Sequence, residues 1–290
     1  MDKASLSKKA CLLQLNSAAL ADGMRTGVFK SLFHGQGVDF AGVREYIEGD
    51  DVRSLDWNVT ARMGRPYVKL YEEERELSVL LIVDTSQSMK SSSGKRTRLE
   101  VAFECASLLT MASFHNSSPV GAVIFDGKLQ FTCPPKSGRE QMMLLLSKFD
   151  SLPEESENGS ALDTALLGAG RILRQRSLVM IFSDFRTTSW IEPFGKLCQR
   201  NDVVAVRLVD PLDDTLPPVG TIPFEDSESR CRIELPTSSP RFKRAWSDAN
   251  YHRVEQWRHE CIRHGGLPVT FSTNTEPLLS LTRFFASRER

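Results

Sequence analysis

The chain has 290 residues, and 37 lysines and arginines balance 37 aspartates and glutamates to give a formal net charge of zero. That balance provides no long-range field to favour nucleic acid or an anionic membrane surface, and no apolar run approaches the roughly 20 residues needed for membrane insertion. The six cysteines, Cys11, Cys105, Cys133, Cys198, Cys231 and Cys261, form no C-x-x-C pair; with no signal peptide ahead of them, they read as reduced thiols of a soluble, cytoplasmic protein.

The length suits one large α/β domain with a smaller attached segment. Lys8 to Leu20 places Cys11, Leu12, Leu15 and Ala19 at helical spacing, and Gly35-Gln36-Gly37 then ends any periodicity. From Val38 to Glu76, Arg44, Arg53, Arg62 and Arg65 are interleaved with Glu45, Glu48, Asp50, Asp51 and Asp56, around Tyr46 and Trp57. Such a stretch buries no core of its own. Arginine–carboxylate pairs around an aromatic would hold it, as a non-repetitive segment, against a larger domain; a solvated charged loop is the alternative. Glu48-Gly49-Asp50-Asp51 reads as a plain turn, because nothing around it supplies a nucleotide site. Tyr67 to Tyr71 alternates, which predicts a strand leading into the central one.

The central stretch is Leu77 to Met89, LSVLLIVDTSQSM. The unbroken apolar run Val79 to Val83 predicts a strand buried on both faces. It stops at Asp84, after which Ser86 and Ser88 follow at alternate positions. A carboxylate and two hydroxyls on one strand-end loop are hard oxygen ligands of the kind magnesium or manganese accepts, although Asp and Ser are also ordinary turn residues.

Thr97 with Glu100 is a capping box that opens a helix to about His115. Val120 to Phe125 reads as a strand, and Asp126-Gly127 as a hairpin turn into Leu129 to Cys133. A helix over about Gly138 to Phe149 follows, then an acidic loop from Pro153 to Gly159, then a helix from Ser160 to Arg174. Ser177 to Phe182 is a strand ending at Ser183-Asp184; Trp190 to Arg200 is a helix; Val203 to Val209 is a strand. Pro211 to Pro236 contains five prolines and reads as a loop or irregular ribbon. Phe242 to His264 is a long helix stopped by Gly265-Gly266, Leu267 to Ser272 the last strand, and Pro277 to Ser287 the last helix. Strands alternating with helices predict an α/β fold, a doubly wound and mostly parallel sheet. Open sheets of this kind place ligands at the carboxyl ends of their strands.

Two further loops carry oxygens at that edge. Ser160 is either a ligand or, with Asp163, an N-cap. Asp184 is either a ligand or a turn residue.

Asp84-Thr85-Ser86-Gln87-Ser88 after an apolar strand resembles the metal-ion-dependent adhesion site of von Willebrand factor type A domains. In that site a second loop gives a Thr, matched here by Ser160, which keeps the hydroxyl, and a third gives an Asp, matched by Asp184. VREYIEGDDVRSLDWNVTAR, followed by VKLYEEERELSVLLIVDTSQSM, is similar to the signature of a bacterial family of uncharacterised proteins, domain of unknown function fifty-eight. The likeness continues through VDPLDDTLPPVG and FSTNTEPLLSLTRFF, and so covers nearly the whole chain. The resemblance implies a smaller amino-terminal segment, 1–76, packed on a type A-like domain, 77–290. It implies a non-enzymatic, metal-dependent interaction module with Mg2+ or Mn2+ at Asp84, Ser86, Ser88, Ser160 and Asp184. The implied partner is a MoxR-type AAA+ ATPase in chaperone-like assembly or maturation, with a client protein as a further candidate.

The enzyme alternative is a phosphotransferase of haloacid-dehalogenase type with Asp84 as nucleophile. That chemistry needs a second acid two residues on, where this chain has Ser86. Acyl transfer lacks a G-x-S-x-G elbow. A zinc site at His259, Cys261 and His264 fails because His259 points away from the other two on one helix.

Overall fold

The computed structural model describes residues 39–47, 49–72, 78–151, 159–225 and 232–286. The expected helix over Lys8 to Leu20 and most of the acidic loop from Pro153 lie outside them. The chain divides into two compact units, Val28–Glu76 and one that carries Leu77–Arg290.

The smaller unit is more regular than its charge pattern suggests. Strand β1 (Asp39–Glu45) pairs antiparallel with β2 (Tyr67–Glu72) in a two-stranded sheet, so the predicted Tyr67 strand belongs to this hairpin-like pair. A single 3-10 turn, Val52–Ser54, and helix α1 (Trp57–Met63) lie between them. The acids divide their work. Asp50 takes a two-pronged bond from Arg44 at 2.7 and 2.8 Å and a third from the Ile47 N–H at 2.9 Å. Asp51 caps the 3-10 turn, and Asp56 caps α1 by accepting from the Asn58 and Val59 N–H groups. Trp57 is not the aromatic centre that the interleaved charges suggest: it is the first residue of α1 and is 68% exposed.

The larger unit is built on six strands: β3 (Val79–Asp84), β4 (Val120–Phe125), β5 (Leu129–Lys136), β6 (Leu178–Ser183), β7 (Asp202–Val209) and β10 (Leu267–Ser272), in the order β10-β7-β6-β3-β4-β5. All neighbours are parallel except the β4–β5 hairpin, which turns at Asp126-Gly127 as predicted. β3, β4 and β6 are buried along their whole length because both sheet faces are covered. This is the doubly wound, mostly parallel architecture that the type A resemblance implies.

Helix α2 (Gln87–Lys90) is one turn; α3 (Arg98–His115) opens on the Thr97/Glu100 capping box. Then come α4 (Arg139–Asp150), α5 (Leu162–Ile172), α6 (Ile191–Cys198), α7 (Pro211–Asp214), α8 (Pro240–Arg263) and α9 (Pro277–Ala286). One face of the sheet buries Leu80, Ile82, Val123 and Phe125 with Leu162, Leu166, Phe194 and Trp257 of α5, α6 and α8. The other face packs on α3, and α9 packs on α3 in turn. The proline-rich stretch is not an irregular ribbon throughout. It holds α7 and an antiparallel pair, β8 (Thr221–Glu225) with β9 (Arg232–Pro236). The four cysteines among the described residues are free thiols, Cys105 and Cys261 fully buried.

Candidate metal centre

The site begins as an interruption in the core. On β3, β6 and β7 one face carries Leu80 and Ile82, Val179 and Ile181, and Val203 and Ala205, all in one apolar cluster. Side chains alternate along a strand with period 2. The next residue on that same face is therefore Asp84, Ser183 and Arg207 respectively. The register agrees: Val83 pairs with Phe182 and Ser183 with Arg207. Three apolar columns thus end at the carboxyl edge in a polar row.

Asp84 is completely buried. Its Oδ1 accepts from the Ser86 N–H at 2.9 Å, and its Oδ2 from the Ser183 hydroxyl at 2.7 Å. The Ser86 and Ser88 hydroxyl oxygens stand 3.2 Å apart. Ser86 occupies the N-cap position of α2 without forming a side-chain cap, so its hydroxyl is left to the loop. The Thr85 N–H and hydroxyl both donate to the Phe125 carbonyl, at 2.7 and 2.9 Å, and pin this loop to β4.

The second loop is held from the hairpin, where the Asp126 carbonyl accepts from the Ala161 N–H at 2.6 Å. α5 starts later than expected: its N-cap position is Ala161, and no side chain caps it. Ser160 is therefore not the helix cap. Its hydroxyl instead lies 3.5 Å from Asp84 Oδ2. The third loop turns sharply after Asp184, with Phe185 in the left-handed region at φ 52°, a conformation rare for a bulky residue. Phe185 is kept there by its ring contacts with Trp190 and Trp257, centroids at 5.3 and 5.5 Å, and by its N–H bond to the Ser183 hydroxyl oxygen at 3.1 Å.

Asp184 Oδ1 accepts from the Arg186 N–H at 3.2 Å, whereas Oδ2 is buried with no hydrogen bond. The Arg186 Nε stands 3.4 Å from Oδ2, an ion-pair distance without hydrogen-bond alignment. Burial, reinforced by the negative charge of Asp184, pushes the Asp84 carboxyl up to about 7, against the opposing bonds from Ser86 and Ser183. Asp84, Ser86, Ser88, Ser160 and Asp184 thus come from three loops to one edge. Among the described residues no three His, Cys, Asp or Glu side chains form a metal-binding group. A cation here would rest on two carboxylates and on hydroxyls, a donor set for a hard ion and not for zinc. The orphaned Asp184 oxygen and the convergent hydroxyls fit that set.

Residues 42–256 match the family described as protein of unknown function DUF58. The chain belongs to that family. It is 30% identical over 296 residues to the uncharacterized protein Rv1480 of Mycobacterium tuberculosis and, by the same measure, to Mb1516 of Mycobacterium bovis; each alignment spans 100% of this chain and 92% of the relative. Among solved structures it is similar to the conserved hypothetical protein BatB from Bacteroides thetaiotaomicron, at TM-score 0.48 and 17% identity over 73% of this chain and 98% of that one. It is also similar to the SpRpn10 VWA domain, at TM-score 0.39 and 10% identity over 72% and 95%.

In this DUF58 chain the row recruits residues that motif reading passes over. Ser183 is one; the signal for it is its place one residue before Asp184 on the same face as Ile181. A second group braces the first loop from behind. Arg98 donates to the Ser88 carbonyl at 3.0 Å and to both Asp213 oxygens at 2.8 and 2.7 Å. Arg186 reaches Asp213 at 2.6 Å. Asp210 accepts from the Ser93 N–H at 2.8 Å and from the Ser93 hydroxyl, and the Asp210 N–H donates to Asp213 at 3.1 Å. Burial alone would raise the Asp213 carboxyl, but Arg186 and Arg98 hold it below the usual range. The DPLDD stretch of the DUF58 chain is thus the clamp between the first and third loops. No helix among the described residues is long and apolar enough to cross a membrane.

Proposed function

We propose that this DUF58 protein is a non-enzymatic protein-interaction module whose Asp84 edge holds Mg2+ or Mn2+. The observation that carries the reading is Asp184 Oδ2, a buried carboxylate oxygen with no hydrogen bond and only the misaligned, half-exposed Arg186 guanidinium at 3.4 Å, beside a second buried carboxyl and a pair of hydroxyls. Such an oxygen is costly unless something pairs with it, and a hard cation would do so. Asp84, Ser86, Ser88, Ser160 and Asp184 would supply oxygens directly or through water, leaving a position for an outside ligand. When bound, the ion would supply an open position for a hard oxygen ligand, which an acidic side chain from a partner could fill.

The family resemblance adds the candidate partner, a MoxR-type AAA+ ATPase acting in chaperone-like assembly or maturation on a client protein. The chemistry of a haloacid-dehalogenase-type phosphotransferase gains no support here, since the residue two beyond Asp84 is a serine engaged with Ser88. Isothermal titration of the folded chain with Mg2+ and Mn2+, followed by recovery of the ATPase from host extract, tests the reading. Heat of binding should be present in the wild type and absent in Asp84→Ala, and the ATPase should be retained only by the wild type and lost in chelator. Absence of any metal binding by folded wild type, or equal ATPase recovery by both proteins, refutes it.

A further inference from the structure

Arg207, the third member of the polar row, is buried to 3% exposure. Among the described residues it makes no hydrogen bond and no ion pair. A guanidinium has five donors and does not deprotonate in proteins; none of the Arg207 nitrogens is among the fully enclosed polar atoms that lack a partner, so the group faces a narrow opening to solvent through which an anion can reach it. Its surroundings do not answer its charge. Asp184 and Asp213 act on it favourably, but Arg253 and Arg186 act against it, and with burial they make the charged form harder to hold. Asp213 is already committed, to Arg98 and to Arg186.

Arg253 stands above Arg207 for a geometric reason. It lies one helical turn before Trp257 on α8, and Trp257 is buried in the cluster with Val203 and Ala205, the residues beneath Arg207 on the same face. α8 runs back toward the start of β10, so its earlier turn lies toward the carboxyl edge. Arg253 and Arg186 are both exposed, and the Arg253 guanidinium touches only Asn250 among the described residues' hydrogen bonds. The result is a buried guanidinium floor with two guanidiniums at its rim.

We propose that Arg207, Arg253 and Arg186 form an oxyanion-binding site beside the three loops, and that the group it takes is a phosphate dianion, either free or carried as a monoester. The charge count favours a dianion over a carboxylate: of these three arginines, Arg207 and Arg253 make no bond to a carboxylate among the described residues, and one phosphate answers both. Guanidiniums also match phosphate oxygens in a forked geometry that lysines would not provide. The site is distinct from the cation site in residues and in charge, and stands whether or not a metal binds at Asp84.

The test is thermal denaturation of the full chain in chelator at pH 7.5, with inorganic phosphate, phenyl phosphate, or sodium chloride at matched ionic strength. At ten times the dissociation constant the melting temperature should rise by roughly 3–5 °C in phosphate and not in chloride. A rise with phenyl phosphate assigns the site to a monoester on a larger molecule; a rise with inorganic phosphate alone assigns it to the free ion. Arg207→Met, which replaces a buried charge by an apolar chain of similar length, should abolish the shift. Arg253→Ala, at the exposed rim, should weaken binding about tenfold while leaving the fold intact. No phosphate-specific shift in the wild type, or an undiminished one in both variants, overturns the proposal. Because chelator is present throughout, failure of the metal reading leaves this result unchanged, and the reverse holds for titration with Mg2+ in phosphate-free buffer.

Discussion

Asp84→Asn in the metal-free protein separates a cation site from a structural turn. In the folded chain the Asp84 carboxyl titrates near 7, against an ordinary value of 3.8. A group whose folded value is raised binds its proton more tightly folded than unfolded. The stability it contributes is complete below the unfolded value and is lost as pH rises through about 7. At ~1.4 kcal/mol per pH unit between the two values, the ionised carboxylate costs the fold at most about 4 kcal/mol above pH 7. Relaxation and water entry reduce that ceiling, so relief of about 1–3 kcal/mol is the expected gain for the neutral amide. Asn keeps an acceptor for the Ser86 N–H and, by donating to the Ser183 oxygen, retains contact with that hydroxyl.

The assay is urea or thermal denaturation of both proteins in chelator from pH 5 to pH 8, where other carboxylates are already ionised. The mutant's advantage should already be present at pH 5, above the unfolded value of 3.8, should grow as pH rises to about 7 and then level off, each kcal/mol being read as roughly 2–4 °C for a domain of this size. Mg2+ should narrow the gap by stabilising the wild type alone, by about 1.4 kcal/mol at ten times the dissociation constant. A mutant less stable than wild type by about 1–3 kcal/mol at every pH in chelator would mean that Asp84 is held by its backbone and hydroxyl donors as a turn residue, and the cation reading would fail.

Two other perturbations probe the frame around the site. Asp213→Asn removes the shared partner of Arg98 and Arg186, and leaving Arg98 buried and unpaired should cost about 3–5 kcal/mol, read as a fall in the urea midpoint. Because Asp213 is held below the ordinary range, its contribution is present above the unfolded carboxylate value and disappears as pH falls through the folded one; an acid titration of the wild type should show that loss. Thr97→Ala deletes one side of the capping box of α3 and should cost about 0.5–2 kcal/mol, with metal binding unchanged.

What the sequence makes legible follows local rules. Val79–Val83 is recognisable as a buried strand because both faces of a parallel sheet are covered, and Thr97 with Glu100 marks a helix start because the two groups satisfy each other's backbone donors. Asp126-Gly127 turns where a hairpin needs it. Local rules mislead at Ser160, where Ser-x-x-Asp has the look of a cap but the Asp126 carbonyl holds the Ala161 N–H and starts the helix later. They hold only in part from Val38 to Glu76, where Asp50 and Glu45 do pair with Arg44 and Arg65 but Asp51 and Asp56 are helix caps. The Pro211–Pro236 stretch hides its function for a different reason. Asp213 finds Arg98 at a separation of 115 residues, and no spacing rule reports a contact of that range. Ser183 and Arg207 are visible only once the register of β6 and β7 is known.

That register also bears on why Asp84 carries the unusual burden it does. Two buried carboxylates at this edge are treated in opposite ways. Asp213 is given two arginines and remains ionised; Asp84 receives a backbone N–H, a hydroxyl and a like charge, which leave it short of compensation. Arginines are at hand: Arg207 lies in the same row, one strand further on, and Arg186 lies two residues from Asp184. Had Arg occupied position 183 in place of Ser, Asp84 would face a guanidinium directly, its carboxyl would fall below the ordinary range, and the local charge would be closed off to anything outside. With Ser183 between them, Asp84 stays a carboxylate lacking a cation and Arg207 a cation lacking an anion. A fold that needed only a turn after β3 would gain stability by joining the two. Their separation by one hydroxyl, at an edge with several loops opening on it, is the arrangement expected of a surface that binds charge from other molecules.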